Sequence, residues 1–153
     1  MAREDHMVIT STVAQPFHYA VGMHGSKFFH ELKKNKRILG IKCPRCGRVS
    51  VPPRLVCNRC FVSMDEFVEV GPTGTLGSYT IVRYAFLDPE TGKQKPVPYI
   101  YGFIRFDGAD TLFQHFVEFS EGKKPYIGMR VEAVFAEEPK GTIRDILHFK
   151  MID

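Results

Sequence analysis

The chain has 153 residues, 44% of them hydrophobic and 25% charged, the balance of one globular domain with a small appendage. No apolar run approaches the length of a membrane helix, and the first residues, Met1 to His6, lack the apolar core of a signal peptide. The formal charge of +4 is unevenly spread: residues 33–60 hold nine basic and no acidic residues, leaving twelve basic and seventeen acidic residues, a net −5, elsewhere.

Residues 1–25 show no clear period and read as an N-terminal arm that orders against a partner or the domain surface. His18 and His24 lie within it and are expected to be ordinary surface residues. A short helix follows. Ser26 is placed to cap it, Phe28, Phe29 and Leu32 form its apolar side, and Lys33, Lys34 and Lys36 fall at its C-terminal end, where cations suit the helix dipole. Core packing by Phe28 and Leu32 is the expected use of that side, with a docking surface as the alternative.

All four cysteines of the chain come next, as two Cys-x-x-Cys pairs: Cys43 and Cys46, then Cys57 and Cys60. Each pair can form a tight knuckle that aims two thiolates at one metal. Two knuckles complete the closed tetrahedral shell of structural zinc, one ion per chain. A disulfide pair, a redox Cys-x-x-Cys and an iron site are the competing readings. Gly47 follows the first pair, where a knuckle often needs positive φ, whereas Phe61 occupies that place after the second. If all four thiolates hold zinc, none remains as a nucleophile, and the closed shell has no position for catalytic water. Zn²⁺ with four thiolates carries −2, so residues 33–60 keep +7, a field that attracts polyanions unless those residues serve only to offset the thiolates. Paired reduced thiols also suit a reducing compartment, so a cytoplasmic protein is expected.

After the ribbon the pattern turns to strands, at 74–84, 99–106, 111–119, 129–136 and 143–151. In the fourth, Met129, Val131, Ala133 and Phe135 share a face. In the fifth, Ile143, Leu147, Phe149 and Met151 do so, together with Asp145. Turn signals such as Asp107-Gly108 and Glu121-Gly122 separate them. Five short strands after a zinc ribbon predict a mainly β protein with a five-stranded OB-fold barrel. Gly77 and Gly102 fall inside strands, where barrels bend. The polar, Pro-rich loop 85–98 is long enough to be mobile or functional. The expected domains are 1–25, an arm; 26–66, a short helix and rubredoxin-like zinc ribbon; and 67–153, the barrel.

In combination these motifs are distinctive. They run from Phe28-Phe29 through Cys43-Pro44-Arg45-Cys46-Gly47, Pro52-Pro53-Arg54 and Cys57-Asn58-Arg59-Cys60. They continue with Gly71-Pro72-Thr73-Gly74-Thr75, Ser78-Tyr79-Thr80, Pro98-Tyr99 and Ile127-Gly128-Met129-Arg130-Val131. The series, over about residues 26–136, resembles the acyl-CoA-associated zinc-ribbon/OB-fold family, long classed as a domain of unknown function. Members of that family accompany thiolases and related acyl-CoA enzymes in archaeal isoprenoid synthesis and anaerobic aromatic breakdown, and accompany aldolases in steroid side-chain degradation. The resemblance implies a non-catalytic accessory subunit that supports assembly and acyl-CoA binding beside a thiolase-like catalytic partner. The diphosphate and 3′-phosphate of coenzyme A suit the basic ribbon, where Lys42, Arg45, Arg48 and Arg54 would supply the phosphate contacts.

Two other functions compete. A single-stranded nucleic-acid-binding zinc-ribbon/OB-fold protein would stack bases on Tyr79, Tyr99, Tyr101 and Phe103, although such strand aromatics more often pack inside a barrel. The ten basic and twelve acidic residues of 67–153 give that barrel a poor footprint for nucleic acid. An independent enzyme would need an acid–base group from His115, His148, Asp145 and Glu118, whose spacing singles out none of them.

Overall fold

Helix α1 spans Gly22–Asn35 in the computed structural model, which describes residues 19–152 apart from 86, 88–91, 95, 119–121 and 123. Most of the N-terminal arm, with His18, and much of loop 85–98 lie outside the described residues. The helix starts ahead of the expected cap at Ser26: Val21 is the N-cap and offers no side-chain hydrogen bond. A tertiary contact holds the extra turn instead. Nε2 of His24 lies 2.9 Å from the carbonyl oxygen of Met64, and its ring is 5.4 Å from that of Phe67. No local pattern announces such a contact. At the other end Lys36 takes left-handed φ and ψ, and its N–H donates to the Leu32 carbonyl. Phe28 and Leu32 are fully buried, so the apolar side of α1 packs into the core.

Strands β1 (Ile38–Lys42), β2 (Val49–Ser50) and β3 (Glu66–Val70) form a three-stranded antiparallel sheet in the order β2-β1-β3. Strands β4 (Thr73–Val82), β5 (Tyr99–Phe106), β6 (Phe113–Val117), β7 (Arg130–Phe135) and β8 (Ile146–Met151) close into a barrel in the order β4-β5-β6-β8-β7. The β6–β8 pair is parallel and the other neighbours are antiparallel. The chain is thus mainly β, with a helix, a small ribbon sheet and a closed five-stranded barrel.

Alternation decides which side chains fill the barrel. On β5, Ile100, Ile104 and Phe106 point inward and are buried. Gly102 lies between them in the same row because a Cβ there would come within 2.7 Å of Leu76 Cδ1. The other row, Tyr99, Tyr101 and Phe103, therefore faces outward. Phe103 stays 40% exposed and Tyr79 of β4 36%, so these aromatics do not pack inside the barrel as strand aromatics more often do. Gly77 is the extra residue of a β-bulge: Leu76 pairs with Ile104 and Ser78 with Phe103.

The fifth strand departs from its expected face. Residues Ile143–Asp145 form a 3-10 turn rather than strand. Val134 pairs with His148 and Phe135 with Ile146, which leaves Leu147 as a bulge residue on the outside. Ile146 is buried and Leu147 half exposed, the reverse of a strict alternation that puts Leu147 beside Phe149. Asp145 closes the turn as a capping-box residue with Thr142. Met129, just ahead of β7, and Val131 and Ala133 on it are buried as expected, with Phe135 half-buried.

One continuous core joins the parts. Phe28 and Leu32 of α1, and Ile38, Leu39, Val51 and Val70 of the ribbon, cluster with Ile104, Phe106, Phe113 and Phe149 of the barrel. At the barrel rim Asp107 accepts hydrogen bonds from Arg130, whose Nη1 stands 2.7 Å from Oδ1, and from Thr73. Arg130, and then Thr73, hold the Asp107 carboxyl down at about 2. A folded-state pKa below the unfolded one means that this stabilisation is present above about pH 4 and disappears as the pH falls toward 2. The pair is half exposed, so its worth is modest. Asp107→Asn is expected to cost about 0.5–1 kcal/mol at pH 7 in urea denaturation. That difference should hold down to about pH 5 and shrink only below pH 4; a difference that grows on acidification would contradict the assignment.

Candidate metal centre

The two Cys-x-x-Cys segments fold into matching knuckles. In the first, the Cys43 N–H donates to the Arg48 carbonyl at 2.9 Å and the Gly47 N–H to the Cys43 carbonyl at 2.9 Å. In the second, the Cys57 N–H donates to the Val62 carbonyl and the Phe61 N–H to the Cys57 carbonyl, again at 2.9 Å. The knuckle dictates the backbone at its fifth residue: Gly47 has φ +72 and Phe61 has φ +55. Glycine adopts this region without cost, whereas a side chain there is strained by about 1–2 kcal/mol. The Phe61 ring offsets little of this, being 82% exposed. Phe61→Gly is therefore expected to raise the stability of the zinc-loaded protein by about 0.5–1 kcal/mol. A melting temperature that falls instead would show that the ring makes a stabilising contact.

The four sulfurs lie within 4.8 Å of one another, and Cys46 Sγ is 3.9 Å from Cys57 Sγ. Four thiolates at the usual Zn–S length of 2.3 Å around one ion stand about 3.8 Å apart, so this donor set fits tetrahedral zinc. All four cysteines are free thiols rather than disulfide-paired. Cys43 and Cys57 are buried, and Ile41 and Met64 pack with them into a small apolar cluster below the site. The thiols influence one another. Backbone N–H groups of Arg59 and Cys60 lower Cys57 to about 6, and hydrogen bonding from Cys46 pushes Cys60 up to about 12. A bound cation would draw all four into the thiolate form, since metal ligation requires deprotonated sulfur.

The basic residues of the ribbon divide between engaged and open positions. Lys42 pairs with Glu66 at 3.7 Å, and Arg48 donates to the Asp110 carbonyl at 3.2 Å. Arg45 and Arg54 are exposed. None of the four lines a cleft described here. The four residues considered for acid–base chemistry do not line one cleft together. His115 is buried against Phe113, Phe116 and Phe149, and the Asp145 carboxylate accepts three backbone N–H groups. His148 and Glu118 share a shallow 300 Å³ cleft with Tyr99 and Phe116. Folding also makes a cleft between α1 and the 140–144 turn, where residues more than a hundred positions apart meet; no sequence pattern joins them. Among the described residues no helix is long and apolar enough to cross a membrane.

Residues 30–65 match the family model of the ChsH2 rubredoxin-like zinc ribbon domain, and residues 67–136 that of the ChsH2 C-terminal OB-fold domain. The chain is 29% identical over 108 residues to a DUF35 domain-containing scaffold protein of Methanocaldococcus jannaschii, covering 70% of this chain and 73% of that protein. It is similar to a crystal structure of a DUF35 family protein of unknown function from Sulfolobus solfataricus, with a TM-score of 0.61 and 28% identity over 85% of this chain and 86% of that one. The fold also matches a chain of the Ltp2-ChsH2(DUF35) aldolase, with a TM-score of 0.63 and 22% identity over 89% of this chain and 100% of that one.

Proposed function

The chain belongs to the DUF35 family of ChsH2-type zinc-ribbon and OB-fold proteins, and on that premise we propose that it is a non-catalytic, zinc-stabilised accessory subunit of a thiolase-type acyl-CoA enzyme. One observation carries this reading: every thiol of the chain converges on a single closed four-sulfur site. Thiolase chemistry needs a cysteine nucleophile, which must then come from another subunit. The relatives support the accessory part of the reading, one being named a scaffold protein and another belonging to an aldolase named for two components. The surface supports it too. Tyr19, Met23, Leu55 and Phe61 are large apolar side chains left 61–83% exposed, the kind of surface a partner covers.

In this reading Cys43, Cys46, Cys57 and Cys60 hold one structural Zn²⁺. Arg45 and Arg54, with Lys42 and Arg48 behind them, present positive charge to the phosphates of a CoA ester held in the complex. Four thiols kept for a metal rather than paired as disulfides suit a reducing compartment, so this reading takes the assembly to be cytoplasmic. The purified chain alone is expected to turn over no acyl-CoA, and to co-purify from its host with a thiolase-like catalytic chain that needs it for activity. Within that complex Arg45→Ala or Arg54→Ala should weaken CoA-ester binding about tenfold, less at high salt. Enzyme-like turnover by the single chain would overturn the proposal, as would a catalytic chain fully active without it.

A nucleic-acid reading draws on one observation, the outward aromatic row of β5 and β6. Tyr101 and Tyr99 lie 4.9 and 5.6 Å from the Phe116 ring, on a barrel face that OB-folds use for oligonucleotides. The charge opposes it, because 67–153 carries more acidic than basic residues.

A further inference from the structure

Between α1 and the 140–144 turn lies a cleft of about 680 Å³, within the size range of small-molecule sites. His30 and Lys33 line it from the helix, Lys140 and Arg144 from the turn, and Tyr19 and Phe29 add aromatic wall. None of the described residues that line it carries a carboxylate. The acids of the two flanking elements, Glu31 and Asp145, are already engaged. Glu31 accepts hydrogen bonds from Asn35 and Arg37. Asp145 is buried, and its oxygens accept the N–H groups of Lys140, Gly141 and Thr142 at 2.8, 2.7 and 3.2 Å. Glu137 and Glu138 are exposed and lie outside the lining.

The Asp145 network fixes the shape of the turn, which packs close to the helix. A Cβ on Gly141 would stand 3.5 Å from Lys33 Cδ, which shows how closely the two elements approach. Among the described residues neither Lys33 nor Lys140 enters an ion pair. Two ammonium groups brought together in this way repel one another, and an anion seated between Lys33 and Lys140 relieves that repulsion. We infer that this cleft binds the phosphate groups of a small phosphate ester. Lys33 and Lys140 contact the phosphate oxygens, and Tyr19 and Phe29 flank the organic part. Since the cleft is built by this chain alone, the inference does not rest on the partner proposed above.

The test is calorimetric titration of the zinc-loaded full chain with inorganic pyrophosphate and then with ADP. Pyrophosphate is expected to bind, and ADP to bind more tightly because its nucleoside reaches the aromatic wall. Lys33→Ala combined with Lys140→Ala should raise the Kd for both at least about tenfold. Both side chains are exposed, so the variant should fold. Arg83→Ala combined with Lys124→Ala removes the same charge outside the cleft and should change Kd less than twofold. No pyrophosphate binding by the wild type, or equal losses in the two double variants, overturns the inference. ADP binding no tighter than pyrophosphate overturns the role of the aromatic wall. Tighter capture of a single-stranded oligonucleotide than of ADP, lost in the cleft variant, also overturns it and assigns the cleft to a nucleic-acid backbone.

Discussion

Replacing Cys57 with serine is expected to abolish stoichiometric zinc binding and to melt the knuckle end of the ribbon while the barrel stays folded. The serine oxygen is a harder, weaker donor than thiolate, and the remaining three sulfurs leave the shell open. Structural zinc contributes on the order of 10–16 kcal/mol to small zinc-binding peptides, so little besides the metal holds the two knuckles together. The residues that depend on it are those of the small cluster around Ile41, Cys43, Cys57 and Met64. Ile38, Leu39 and Val51 belong instead to the core shared with the barrel. The boundary of the disorder should therefore run through β1, and not between ribbon and barrel. Metal analysis with backbone NMR of the variant decides the matter. Full zinc content in the variant would remove Cys57 from the ligand set, iron in the wild type would replace zinc as the metal, and loss of the barrel signals would show that the metal supports the whole chain.

Phe28→Ala is expected to destabilise the entire chain by about 3–5 kcal/mol, the usual cost of removing a fully buried phenyl ring. Phe28 is 1% exposed, lies edge-on to Phe29 at 5.3 Å, and shares one core with ribbon and barrel residues. Against a typical total of about 5–15 kcal/mol, this leaves a narrow margin. Because helix, ribbon base and barrel share that core, urea denaturation followed by tyrosine fluorescence and by helical circular dichroism should move as one transition. A variant in which the helical signal is lost early while the barrel midpoint stays in place would show that α1 is only loosely docked. The exposed Phe61 makes the contrast, since removing its ring leaves no cavity.

The sequence by itself determined the parts that depend on short-range covalent spacing and on strict alternation. Two Cys-x-x-Cys pairs place four thiolates on two knuckles whatever surrounds them, so the metal centre was legible in residues 43–60. An aromatic and β-branched run marked β5, and alternation of apolar residues marked β7, where Val131 and Ala133 are buried as the period requires. Alternation misread β8, because one bulge at Leu147 exchanges the inner and outer faces and no residue type there announces it. The start of α1 was hidden for a related reason: its first turn is held by His24 on the Met64 carbonyl, a bond across forty residues of chain. Outward placement of Tyr99, Tyr101 and Phe103 followed from which row of β5 leaves room for Leu76, a choice made by Gly102 and the barrel's closure. The joining of ribbon and barrel through one core, and the meeting of His30 and Lys33 with Lys140 and Arg144, were decided only by the tertiary structure. Such contacts depend on how whole elements pack, and packing brings distant residues together without leaving a local period to read.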